Sequence, residues 1–236
     1  MRKKLLISLI LISTIYLSGC GNKTIEAENI TDTESKNTSY SDEDKILSHN
    51  TVSLEDGPER KFNKVPLYYQ QDYADIPYGI STIGKSGSLV TCLAMMESYY
   101  KADYITPKKL LSEFPSLMDE KDTLTMMDTI ASANDLIVVS QSFDPYVLAD
   151  YLNNQERLVL LEIPHASSFG SATSYILITG TTPDGDLVVR DADYNNIEKF
   201  AINTKYDELV YSATSIVLEA GKTSMLHAFT YQEGGE

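Results

Sequence analysis

The stretch SGSLVTCLAMMESYY, residues 86 to 100, decides the fold. A Ser-Gly-Ser opening leads into an apolar run. Leu89, Cys92, Leu93, Met96, Tyr99 and Tyr100 then recur at helical spacing on one broad face. The stretch predicts a core helix from Leu89 to about Tyr100, with Ser88 at its mouth. Upstream, Val65 to Tyr73 (VPLYYQQDY) reads as a short extended piece followed by a loop. Downstream, Thr106-Pro107 supplies a capping hydroxyl and a first-turn proline for a second helix. Asp122 to Ala133 reads helical through Leu124, Met127, Ile130 and Ala131, Leu136 to Ser140 as a short strand, and Asp144-Pro145 caps a helix reaching about Asn153.

The second half changes period. Leu158–Ile163, Ser174–Thr181, Leu187–Arg190 and Ser215–Glu219 read as strands, with turn chemistry at Pro183-Asp184-Gly185-Asp186. Helices first and mostly antiparallel strands after predict an α+β domain, its helical N-terminal part packed on a mostly antiparallel sheet. The predicted domain spans residues 62–222, and residues 223–236 read as a polar C-terminal tail.

Composition limits the function classes. The chain has 236 residues and a formal net charge of −15. Residues 1–19 hold Arg2, Lys3 and Lys4 and no acid, so without them 16 bases face 34 acids, or −18. Such a chain is repelled by nucleic acid and by anionic headgroups. Tyr is abundant at 16 and Trp is absent. The three histidines, His49, His165 and His227, lie far apart in sequence, so no zinc site and no cofactor is expected. Asp184-Gly185-Asp186 and Asp191-Ala192-Asp193 have loose calcium-loop chemistry but lack the glutamate of an EF-hand loop.

The first residues, MRKKLLISLILISTIYLSGC, pair a basic start with an apolar stretch from Leu5 to Leu17 and small residues before Cys20. This pattern predicts a secretory signal over residues 1–19, with an apolar centre short for a membrane span. The cysteine just after the cut resembles the bacterial lipoprotein signal. That resemblance implies a diacylglycerol on the Cys20 thiol, two acyl chains being enough to hold a protein on a bilayer. Lipidation of Cys20 would leave Cys92 without a partner for an internal disulfide. Residues 20–61, rich in Asn, Thr, Ser, Glu and Asp, read as a disordered, lipid-anchored tether. The expected location is the extracytoplasmic face of the cell membrane.

Three stretches in order resemble the bacterial papain-like cysteine peptidases related to the bacteriocin-processing, double-glycine-leader peptidases. They are residues 65–73; residues 81–95 with Thr106-Pro107; and Ser174–Gly180 with Asp184-Gly185 and Val189-Arg190-Asp191. The resemblance implies a papain-like cysteine peptidase fold. It places Ser88 where the family has its nucleophilic cysteine, and Ser174 where it has its histidine. Asp191 falls where the histidine is oriented, and Gln70 where the oxyanion donor sits. Both reacting residues are thus serine and both supporting residues remain. A serine hydroxyl is a poor nucleophile without a base, and Ser174 cannot serve as one. The expectation is an inactive peptidase-like domain that binds a peptide or protein, as related domains without the catalytic cysteine do in some toxin exporters. Two alternatives stand beside it. Cys92, one turn deeper on the same helix, is a candidate nucleophile, with His165 as its base. The chain could instead be a structural envelope protein.

Overall fold

The computed structural model describes residues 65–155, 157–165, 168–170, 172–202, 208–221 and 223–231. The predicted signal, Cys20, His49 and the tether lie outside the described residues. After a 3-10 turn at Gln70–Tyr73, the described chain runs β1 (Pro77–Tyr78), β2 (Ser81–Thr82), α1 (Ile83–Ser86), α2 (Ser88–Lys101) and α3 (Pro107–Glu113). A 3-10 turn at Pro115–Met118 precedes α4 (Thr123–Ser132), β3 (Leu136–Ser142), α5 (Pro145–Asn153), β4 (Val159–Ile163), β5 (Ser174–Thr181) and β6 (Leu187–Asp191). After a 3-10 turn at Tyr194–Asn196 come α6 (Ile197–Phe200), β7 (Leu209–Tyr211), α7 (Ala213–Ala220) and β8 (Met225–Tyr231).

The α+β class follows as predicted: helices first, then an antiparallel sheet. Six strands lie in the order β3-β8-β4-β5-β6-β7, and each pairing among them is antiparallel. Helix α2 is buried on all sides from Leu89 to Ser98 rather than on one face, because α3, α4 and strands β5 and β6 surround it. It starts at Gly87, where any side chain would collide with the Ile83 carbonyl and side chain of α1. It ends at Ala102, a left-handed residue whose N–H reaches back to the Ser98 and Tyr99 carbonyls. The capping residues read from sequence act as such. Thr106 Oγ1 accepts from the Lys109 N–H at 3.1 Å, and an Asp144 carboxylate oxygen accepts from the Tyr146 N–H at 2.7 Å.

Alternation along the strands divides the apolar side chains between two cores. Leu160, Leu177 and Phe229 face α2 and α4. Val159, Leu161, Ile163, Ile176, Ile178 and Val189 face α5 and α7. Leu160 and Leu177 are fully buried, and each such side chain contributes about 1.5–3 kcal/mol by leaving water.

Two sequence expectations are corrected. Ser215–Glu219 is helix, not strand. Ser212 caps α7, and the helix buries Ile216 and Ala220 four apart, while Leu218 stays exposed. Residues 223–231 do not belong to a polar tail. Met225–Tyr231 forms β8, an interior strand between β3 and β4, with Leu226, His227, Ala228 and Phe229 buried. The described domain therefore continues to Tyr231.

Candidate functional site

Gln70 belongs to the first 3-10 turn, which docks on the end of β6. Its N–H donates to the Ala192 carbonyl at 2.8 Å, and the Gln71 amide donates to Asp193 Oδ1 at 2.5 Å. Gln70 is buried, and its Oε1 has no partner among the described residues. Ser88 is the first residue of α2 and is half-buried there. One turn deeper, the Cys92 thiol is fully buried and donates to the Tyr175 carbonyl at 3.5 Å. Burial pushes this thiol well above its ordinary pKa, with the nearby Asp191 carboxyl adding to the shift. A thiol kept protonated this way is a poor nucleophile.

Ser174 opens β5 and donates to the Ala172 carbonyl at 3.4 Å. No direct hydrogen bond joins it to Ser88 among the described residues. Strand register puts Ser174 on the face of Ile176, and Asp191 is the cross-strand partner of Ile176. Asp191 is fully buried and accepts from several donors: Tyr211 Oη at 2.7 Å, the Asp193 N–H at 2.9 Å and the Asn196 amide at 3.1 Å. Burial pushes its pKa up to about 7, against the lowering effect of those donors. This carboxyl ties β6 to β7 and to the 3-10 turn after it.

His165 lies exposed in the turn after β4, and among the described residues no hydrogen bond joins it to Cys92. His227, predicted to sit in a tail, is buried on β8 between Ser140 and Glu162. One signal in the sequence marks this group: a lone acid inside the apolar strand VLLEI at residues 159–163.

Beside the mouth of α2 lies an open groove of about 350 Å³. Tyr78, Ile80, Leu89, Met118 and Tyr175 give it apolar walls, and Glu120 and Lys121 line it too. The β1–β2 hairpin forms one side and is pinned by the Gly79 N–H on the Met118 carbonyl at 2.8 Å. Gly79 holds a left-handed φ of 57°, which suits glycine at this turn. Ile80, next in the turn, is 97% exposed. Tyr175 is held by a 3.0 Å hydrogen bond between its hydroxyl and that of Thr123. A second groove, near Tyr99 and Thr179, contains Arg157 and Arg190. Both guanidinium groups are engaged, Arg157 with Thr230 and Arg190 with the Val65 carbonyl and Glu208. Among the described residues no group of three or more His, Cys, Asp or Glu could hold a metal ion, and no helix is long and apolar enough to cross a membrane.

No protein-family model and no curated protein matches the chain. Among solved structures, the chain is similar to the peptidase domain of Streptococcus ComA, a bi-functional ABC transporter involved in a quorum-sensing pathway. The identity is 14% and the TM-score 0.42, over 61% of this chain and 91% of that chain.

Proposed function

We propose that this chain is a cell-surface lipoprotein whose papain-like domain holds a peptide or protein in the groove beside α2 without cutting it. One contrast carries this reading. The groove is open and apolar, whereas the groups that a cysteine peptidase would use are replaced or enclosed. Serine stands at residues 88 and 174, the Cys92 thiol is fully buried, and the Asp191 carboxyl is occupied by Tyr211, Asn196 and the Asp193 backbone. General acid–base assistance is worth about 10² to 10⁴ in rate, and loss of base and nucleophile together removes most of what such a site supplies. Tyrosine and aliphatic walls suit the side chains of an extended peptide, with polar groups fixing its orientation. The anchor on Cys20 rests on the sequence pattern of residues 1–20.

The test is peptide-array binding by the full chain in detergent, compared with Ile80→Asp and Met118→Asp. Both side chains stand at the groove and are exposed, so the variants keep the fold. Retained peptides that both variants lose support the reading, and equal binding by all three overturns it. Lipidation is checked separately. Incorporation of labelled palmitate should vanish in Cys20→Ala, and its persistence there would remove the anchor.

A further inference from the structure

A row of polar side chains crosses the helix-covered face of the sheet. Ser140 on β3 is the cross-strand partner of His227 on β8. Glu162 on β4 lies diagonal to His227 and opposite Tyr175 on β5. Neighbours on the same face, Val138, Phe229, Leu160 and Leu177, belong to the first core. His227 is 2% exposed, so both ring nitrogens need partners. Nδ1 lies 2.9 Å from Ser140 Oγ and Nε2 lies 3.2 Å from Glu162 Oε2.

The chemistry of the partners orients the ring. The hydrogen bond from His227 holds the Glu162 carboxyl below its ordinary range, partly offset by its burial, and Thr123 at the start of α4 bonds it as well. An ionised carboxylate accepts and cannot donate, so Nε2 carries the hydrogen. In the neutral ring, Nδ1 then turns its lone pair to the Ser140 hydroxyl. The charged groups near the ring are Glu162 from β4 and Asp122 from the start of α4.

Ser140, unlike His227, is exposed. It lies on the outer strand of the sheet. Among the described residues, residues 136–142 make no backbone hydrogen bond beyond the β8 ladder. An outer strand turns alternate N–H groups outward. A free N–H therefore stands either at Ser140 itself or at both Val139 and Gln141. Such a donor beside the hydroxyl can receive charge developing on a carbonyl oxygen.

We propose that Ser140, His227 and Glu162 form a serine-based acyl-transfer site, separate from the groove, that takes small carboxylic esters at the open edge of β3. The Ser140 Oγ–carbon bond forms as the Oγ proton passes to His227 Nδ1 and the carbonyl π pair moves onto oxygen. Return of that pair breaks the bond to the alkoxide, which leaves with the proton from Nδ1. Water then attacks the acyl carbon and gives its proton to Nδ1. Ser140 Oγ departs with that proton, releasing the carboxylic acid. Glu162 stays ionised and stabilises the imidazolium.

The full chain in detergent is treated with a fluorophosphonate probe and, separately, with p-nitrophenyl acetate. The expected result is a probe adduct on the peptide containing Ser140, absent in Ser140→Ala and retained in Ser88→Ala and Cys92→Ala. Its rate should fall by at least about 10-fold in Glu162→Gln. Ser140→Cys, which asks nothing of the buried ring's own replacement, should alkylate faster than an unactivated thiol, and the excess should disappear with Glu162→Gln. Absence of an adduct at Ser140 in folded protein overturns the proposal. So does an adduct rate indifferent to Glu162→Gln, the behaviour of an ordinary surface serine.

Discussion

Two polar clusters, each containing a carboxyl, sit on opposite faces of one sheet and differ in how far they are closed. Around Asp191, each group is enclosed: the carboxyl and Tyr211 are fully buried, and Asn196 nearly so. Around His227, the ring is buried but Ser140 opens to solvent and Glu162 is half-buried. Their carboxyls shift in opposite directions. Burial raises Asp191, whereas hydrogen bonding to His227 lowers Glu162. A polar group whose donors are all spent inside the protein is scaffolding. One that keeps an open member retains the means to meet a ligand.

Asp191→Ala strands the Tyr211 hydroxyl, the Asn196 amide and the Asp193 N–H, and should cost about 2–4 kcal/mol in denaturant unfolding. Ser140→Ala should cost under about 1 kcal/mol, because water replaces its hydroxyl at the open edge. Equal losses at the two sites would remove the distinction between them.

The opposite shifts sharpen it next. Folded Asp191 holds its proton up to about pH 7, while an unfolded aspartate releases it near 3.8. Folding therefore takes up a proton between these values, and this group's contribution to stability is full below about pH 4 and lost as pH rises to 7. The effect is on the order of 4 kcal/mol. Glu162 acts in reverse: its contribution is present above its ordinary 4.5 and lost as pH falls through the lower folded value. Unfolding curves from pH 3 to 8 should lose the first slope in Asp191→Asn and the second in Glu162→Gln.

Tyr211→Phe should have a smaller effect, about 1–2 kcal/mol, since Asn196 and the Asp193 backbone remain as donors to Asp191. Smallest of all, Ser88→Ala and Ser174→Ala should lie within about 0.5 kcal/mol of the parent chain, both being half-buried with slight hydrogen bonding. A large loss at either would mean that the mouth of α2 is more enclosed than this account holds.

Much of the fold was legible because local chemistry fixes it. Thr106-Pro107 and Asp144-Pro145 start helices where they stand, and the apolar run after Ser88 is helical. Strand β8 was not legible because its burial depends on pairing with β3 and β4, both distant in sequence. Helix α7 was misread because the short apolar run Ile216-Val217-Leu218 fits a strand as readily as a helix, and Ser212 decides between them. At the candidate site, sequence supplied the residue types at 70, 88, 174 and 191. It could not show that Tyr211, 20 residues away, occupies the Asp191 carboxyl, or that Ser174 turns to Ala172 rather than to Ser88.

On the proposed function, this domain grips a peptide without cutting it through α2. The most direct measurement is mass-spectrometric cleavage of a peptide library by the full chain, run beside Ser88→Ala and Cys92→Ala. The account predicts that any products match those of both variants, so that nothing depends on either residue. Cleavage that disappears in Ser88→Ala or in Cys92→Ala would place a working nucleophile on α2 and contradict it.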